Sequence, residues 1–178
     1  MATTTAVPAN LVFLRPAELA AGARAGSASP CREPRAMVVA RHQLLERLDL
    51  VGELAPNAPL SFLIVQVRGL DTLRERGCGL TQGSVMSAVA RRVRELTRAT
   101  DHVGRFTATS MGVVLQGAGA AAASAVAARI TFHLSHGLAS IAPGLDVSVH
   151  AATGTGLNAD ILPVAALDSG YDEGDDPA

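Results

Sequence analysis

An almost unbroken apolar run, Leu60-Ser-Phe-Leu-Ile-Val-Gln-Val67, constrains the fold of this chain more than any other feature of its sequence. The run contains β-branched residues, and its apolar side chains occupy both odd and even positions. A strand that is covered on only one face would instead alternate apolar and polar residues. The run therefore predicts a β-strand that is buried on both faces.

Segments of helical and strand-like periodicity surround this run. Helices are predicted over residues 37–54, 70–76, 83–97, 120–135 and 159–167, and further strands over 102–106, 111–116 and 145–152. A tight polar turn joins the first two of these further strands. The order predicts an α+β fold of the ferredoxin-like or palm type, in which an antiparallel sheet is flanked by helices.

The length of 178 residues suits one domain, and both ends of the chain differ in composition from its middle. Residues 1–34 are rich in Ala, Thr, Pro, Gly and Ser, which is typical of a flexible tail. Residues 168–178 form an acidic segment that we also expect to be disordered. The domain is accordingly predicted over residues 35–167.

Composition excludes several classes of partner. The net charge is −1, aromatic residues make up 3% of the chain and Trp is absent, so neither a basic footprint nor a base-stacking surface for nucleic acid is expected. No apolar stretch is long enough to span a membrane. The two cysteines, Cys31 and Cys78, lie far apart without a C-x-x-C spacing, which favours reduced thiols. We therefore expect a soluble cytoplasmic protein.

Several short segments, taken in order, resemble a known family. They are Arg41-His-Gln-Leu-Leu-Glu-Arg-Leu-Asp49, Phe62-Leu-Ile-Val-Gln-Val-Arg-Gly-Leu70, Val103-Gly-Arg-Phe106, Met111-Gly-Val-Val-Leu115 and Ala127-Ala-Arg-Ile130. Over roughly residues 35 to 155 the chain resembles the GGDEF family of bacterial diguanylate cyclases. The resemblance implies a nucleotide cyclase-like fold and a place in second-messenger signalling.

The resemblance also implies where catalysis would take place. In the family, carboxylates on the first strand and in the signature hairpin hold divalent metal on the triphosphate, where charge develops during the reaction. The corresponding positions here are Gln66, Arg68 and Thr107-Ala-Thr-Ser-Met111, and none is acidic. Thr107 and Ala108 replace the paired glycines that admit phosphate to the turn. We therefore predict a pseudo-diguanylate cyclase with no catalytic residues, metal or cofactor.

A second family feature is retained. Arg98-Ala-Thr-Asp101 precedes the hairpin by five residues, and the resemblance implies that this Arg-x-x-Asp pattern is a binding site for cyclic di-GMP, with Arg129 assisting from the next helix. The chemistry is consistent, because an arginine fork suits guanine O6 and N7 or phosphate oxygens, and a carboxylate accepts from guanine N–H groups. The sequence thus predicts a cyclic di-GMP receptor that uses Arg98, Asp101 and Arg129.

Two alternatives stay open. Asp101 stands where a turn enters a strand, a position that favours aspartate for local backbone hydrogen bonds whatever the ligand, and Arg98 and Asp101 could then form a solvated ion pair of structural value alone. The domain would then be a nucleotide-independent dimerisation or interaction module, with a homodimer or a signalling protein as its partner. His133 and His136 have a spacing that could ligate metal, but we expect polar histidines of this kind to end a helix.

Overall fold

The computed structural model of this chain describes residues 38–73, 80–141 and 144–169. Its helices are α1 (Arg41–Leu54), α2 (Gln82–Glu95), α3 (Ala120–Ile141) and α4 (Leu162–Asp168), and its strands are β1 (Pro59–Arg68), β2 (His102–Arg105), β3 (Ser110–Gln116) and β4 (Asp146–Thr155). Short 3-10 helices cover Asp71–Leu73 and Gly156–Ile161. The predicted N-terminal tail, and the acidic segment beyond Ser169, lie outside the described residues.

The strands form one antiparallel sheet in the order β2-β3-β1-β4. Strand β1 lies inside the sheet, where Gln66 is opposite Ser110 of β3 and Ser148 of β4. Strand β4 lies at one edge and pairs with β1 alone within the described residues. The arrangement confirms the predicted α+β class with an antiparallel, ferredoxin-like sheet flanked by helices.

Each face of the sheet carries its own apolar core. The odd-numbered residues Leu63, Val65 and Val67 of β1 pack with side chains of α2 and α3, whereas Leu60, Phe62 and Ile64 pack with side chains of α1 and α4. Successive side chains of a strand point to opposite faces, so an apolar run at every position is what two covered faces require. The prediction of a strand buried on both faces is confirmed.

Gly112 of β3 lets α1 and β1 pack closely beside the hairpin between β2 and β3. A Cβ atom at this position would lie 2.5 Å from Leu44 Cδ2 and 2.8 Å from Phe62 Cζ. The Phe62 ring also makes an edge contact with the Phe106 ring, with 5.6 Å between their centroids. Any larger residue at position 112 would push the Phe62 ring or the α1 side chain away from the sheet.

Three helix predictions, over residues 120–135, 70–76 and 159–167, differ from the structure. Helix α3 continues to Ile141 rather than ending near residue 135, because Leu134 and Leu138 keep the same face of the helix buried. The predicted helix-ending role of His133 and His136 is therefore wrong; His136 Nδ1 lies 2.7 Å from the Phe132 carbonyl oxygen within the helix. The segment predicted as a helix over 70–76 has a 3-10 turn over Asp71–Leu73, and its remainder lies outside the described residues.

The last predicted helix, over residues 159–167, begins earlier and in a tighter form. It starts as the 3-10 helix Gly156–Ile161 and becomes α-helical in α4, where Pro163 occupies the first turn. In the described ranges, no helix combines the length and the apolar character needed to cross a membrane.

Candidate functional site

The three residues predicted to bind a ligand line one cleft. This cleft has a volume of about 480 Å³ and lies between the C-terminal end of α2, strand β3 and the first half of α3. Arg98 and Asp101 lie on the wall that follows α2, and Arg129 lies on the wall formed by α3. We call it the arginine cleft. The structure thus brings together side chains that the sequence places in two separate segments.

Asp101 holds the turn that forms one wall of the arginine cleft. The side chain is buried, at 5% exposure, and its Oδ2 atom accepts a hydrogen bond of 2.7 Å from the backbone N–H of Arg98. The backbone N–H of Asp101 donates to the Arg98 carbonyl, and Arg94 Nη1 donates to the Asp101 carbonyl over 2.7 Å. The local backbone bonding expected of an aspartate at this turn is confirmed, because the carboxylate binds the Arg98 backbone, and no Arg98–Asp101 ion pair forms among the described residues.

The arginine cleft contains polar groups that could bind a ligand. The Arg98 side chain is exposed and has no hydrogen-bond or ion-pair partner among the described residues. The second carboxylate oxygen of Asp101, Oδ1, has no partner there either, and no side-chain oxygen in that part of the chain is both fully buried and unpartnered. Oδ1 therefore keeps access to the surface, so the site offers a free cationic fork beside a free anionic acceptor.

Arg129 connects the two walls. Its Nη2 atom donates a hydrogen bond of 2.7 Å to the carbonyl oxygen of Leu96, directly after α2. Carbonyl groups at the end of a helix lack partners within the helix and carry partial negative charge, so this bond is favourable. Because a guanidinium has five N–H donors, the group keeps donors for an anionic ligand in the cleft.

A second cleft, of about 310 Å³, lies on the opposite face of the sheet, beside the hairpin between β2 and β3. We call it the hairpin cleft. Its walls include Gln66 and Arg68 of β1, Thr107, Thr109 and Ser110 of the hairpin, and His150 of β4. Except for His150, these residues are among the positions that the sequence resemblance assigned to catalysis, and the structure brings them to one cleft.

Hydroxyl groups hold the hairpin turn. Thr107 Oγ1 and Ser110 Oγ lie 2.7 Å apart, and the backbone N–H of Thr109 donates to Thr107 Oγ1 over 3.2 Å. Gln82 of α2 fixes the turn from outside by donating from Nε2 to the Ala108 carbonyl. These bonds together fix the conformation of the turn.

The side chains of the hairpin cleft do not fit the divalent metal that the GGDEF resemblance implies. Magnesium is held by carboxylate and phosphate oxygens, and no aspartate or glutamate of the described residues lines this cleft. Across the described ranges, no group of three or more His, Cys, Asp and Glu side chains is arranged to hold a metal ion. Arg68 instead adds a positive charge to the lining of the cleft.

A further group of basic side chains, beside Asp101, was not predicted from the sequence. Arg47 of α1, Arg94 of α2 and His102 of β2 lie together, with Arg47 Nη1 3.5 Å from His102 Nδ1. They come from three separate segments, and arginine is the only cationic residue type in a chain with 15 of them, so no local pattern distinguishes them. Burial, and then the charges of Arg47 and Arg94, lower the pKa of His102 below 6.5, although Asp101 partly opposes this.

This lowered pKa predicts that acid weakens the fold. The unfolded chain binds a proton at His102 more readily than the folded protein does, so the free energy of unfolding should fall as the pH decreases through 6.5. We expect urea unfolding to show this decrease in wild type and a smaller decrease in His102→Gln. An identical pH dependence in the two proteins would contradict the assignment to His102.

The comparison with known proteins identifies the fold. No protein-family model and no curated protein matches the chain by sequence. The GGDEF domain of FimX from Pseudomonas aeruginosa matches with a TM-score of 0.61 and 16% identity, over 82% of this chain and 97% of that one. The GGDEF domain of DgcB from Caulobacter crescentus, solved in complex with cyclic di-GMP, matches with a TM-score of 0.53 and 14% identity, over 82% and 93%.

A third match is the diguanylate cyclase SiaD from Pseudomonas aeruginosa, solved in complex with its activator SiaC. It has a TM-score of 0.61 and 18% identity, over 81% of this chain and 59% of that one. The sheet order, the helices on both faces and these superpositions agree with the resemblance found in the sequence. The chain has the fold of a GGDEF domain.

Proposed function

We propose that this protein is a catalytically inactive receptor for cyclic di-GMP that binds its ligand in the arginine cleft. The observation that carries the proposal is that Arg98, Asp101 and Arg129 line one cleft while the Arg98 guanidinium has no partner in the described part of the chain. The volume of about 480 Å³ is within the usual range for small-molecule sites.

Each side chain has a defined role in this proposal. The Arg98 guanidinium donates in parallel to guanine O6 and N7, which its planar fork matches. Asp101 Oδ1 accepts hydrogen bonds from the N1 and N2 N–H groups of a guanine, while Oδ2 keeps its bond to the Arg98 backbone. Arg129 contributes its remaining N–H donors to a phosphate. A structural neighbour, DgcB, was solved in complex with this ligand, which supports the choice of dinucleotide.

The composition of the hairpin cleft supports the proposal that the protein is catalytically inactive. Among the described residues its lining contains hydroxyl, amide, imidazole and guanidinium groups but no carboxylate to hold metal on a triphosphate. Metal and oriented charges supply most of the transition-state stabilisation in phosphoryl transfer. Incubation of the purified protein with GTP and Mg²⁺ or Mn²⁺ is therefore expected to yield no dinucleotide product. Any turnover above that of buffer alone would contradict this account of the hairpin.

Isothermal titration calorimetry tests the receptor proposal directly. The full chain is titrated with cyclic di-GMP at fixed ionic strength, and with GMP as a control that has one guanine and a terminal phosphate. We expect saturable heat with cyclic di-GMP and much weaker binding of GMP, which offers the cleft only one guanine and one phosphate. Absence of heat with cyclic di-GMP would eliminate the receptor proposal.

A second candidate function is that of an interaction module. Exposed apolar side chains lie at the end of α1 and on the segment that follows β4, and Leu54 and Leu157 are 76% and 70% exposed. The 3-10 helix after β4 packs against α1, so both segments belong to one region of the surface. Patches of this kind mark protein contacts. The structural neighbour SiaD was solved with a protein activator, and this candidate gains support if the calorimetry shows no cyclic di-GMP binding.

A further inference from the structure

A third cleft, of about 260 Å³, lies at the β2 edge of the sheet. Its walls carry the side chains of Arg47, Arg94 and His102, and it shares Asp101 with the arginine cleft. We call it the basic cleft. The turn over residues 98–101 therefore separates two clefts, and the basic cleft takes no part in the proposed binding of cyclic di-GMP.

The charges in the basic cleft are unbalanced. Neither Arg47 nor Arg94 belongs to an ion pair in the described ranges. Arg94 Nη1 donates to the Asp101 carbonyl and to Thr97 Oγ1, which are neutral acceptors, and Arg47 has only the long contact to His102. The Asp101 carboxylate accepts from the Arg98 backbone through Oδ2, and its single negative charge offsets only part of the two positive charges. Burial is the largest cause of the lowered pKa of His102, the charges of Arg47 and Arg94 lower it further, and the charge of Asp101 opposes them, which is consistent with a net positive potential at this position.

We propose that the basic cleft binds a small tetrahedral oxyanion, namely phosphate or the terminal phosphate of a small monoester, between the side chains of Arg47 and Arg94. The proposal does not depend on cyclic di-GMP binding. Two unpaired guanidinium groups in a concave, partly desolvated site provide charge-assisted N–H donors that an oxyanion satisfies and that water satisfies less well. The His102 ring lies on the same wall, with its Nε2 atom 3.0 Å from Gln116 Nε2 and its Nδ1 atom facing Arg47.

The His102 ring reports binding in solution. The full chain is titrated with inorganic phosphate at constant ionic strength while the imidazole resonances are followed by NMR, and His102→Gln assigns the signal. We expect a saturable shift of the His102 resonances, with affinity about tenfold weaker in Arg47→Gln and partly restored in Arg47→Lys. Methyl phosphate distinguishes the sources: equal affinity indicates a terminal phosphate, and clearly weaker affinity indicates free phosphate.

Arg105→Gln is the matched control, because Arg105 is an exposed arginine of β2 that does not line the basic cleft. It removes the same charge and should leave phosphate affinity unchanged. Circular dichroism establishes that each variant is folded. Absence of a saturable shift in wild type, equal affinity in Arg47→Gln, or an equal loss in Arg105→Gln would each overturn the proposal.

Discussion

Replacing Arg98 by alanine is expected to weaken cyclic di-GMP binding by about 10- to 100-fold, the loss that follows from removing charge-assisted hydrogen bonds at a ligand. The reason is that the backbone and the side chain of Arg98 have different functions in the turn. The Arg98 backbone is occupied by Asp101, whereas its guanidinium has no partner among the described residues. The substitution therefore removes ligand contacts and leaves the bonds that shape the cleft. Calorimetry on wild type and variant measures the effect.

Three variants make this result specific. Arg98→Lys keeps the charge without the planar fork and should have intermediate affinity. Arg105→Ala removes an exposed arginine outside the arginine cleft and should bind as wild type does. Arg68→Ala alters the hairpin cleft on the other face of the sheet and should also bind normally. Wild-type affinity in Arg98→Ala, or a large loss in Arg68→Ala, would place the ligand elsewhere.

Replacing Phe62 by alanine is expected to lower the free energy of unfolding by about 3–5 kcal/mol. The ring is fully buried, at 0% exposure, and it packs against Phe106 and over Gly112. Its removal leaves a cavity at the centre of the core formed with α1 and α4. For a domain with a typical stability of about 5–15 kcal/mol, such a loss is a large fraction of the total. Urea denaturation followed by circular dichroism provides the measurement.

Phe132→Ala is the matched control for this experiment. The Phe132 ring lies on α3 and is 54% exposed, so its removal should cost less than about 1 kcal/mol. The loss of stability in Phe62→Ala is separable from the loss of binding in Arg98→Ala, because Phe62 and the arginine cleft belong to opposite faces of the sheet. Arg98→Ala should unfold as wild type does. A Phe62→Ala protein as stable as Phe132→Ala would show that the core near the hairpin is not well packed.

The fold was predictable where a local pattern has only one physical solution. The apolar run of β1 requires cover on both faces, and the structure provides it. The end of α3 was not predictable, because the His133 and His136 spacing resembles a helix terminus when the burial of Leu134 and Leu138 is unknown. Their burial depends on the distance to the sheet, which no local sequence pattern contains.

The sequence predicts which residues share the cleft, but not the hydrogen bonds that those residues make. The sequence identified Arg98, Asp101 and Arg129, and the structure brings them to one cleft. The bond from the Arg98 backbone to the Asp101 carboxylate depends on the conformation of the turn, and the bond from Arg129 to Leu96 depends on the packing of α3 against α2. The basic cleft was missed entirely, because its arginines meet only after folding.

The edge position of β4 has a consequence for how this protein behaves in concentrated solution. Over the ten residues of Asp146–Thr155, one row of backbone N–H and C=O groups is not used by the sheet within the described part of the chain. Such a row is a template for a strand from another molecule and hence for aggregation. Polar side chains at Asp146, Ser148 and His150 oppose this by keeping the edge hydrated. Their replacement by apolar β-branched residues would increase the tendency of the protein to form intermolecular sheets.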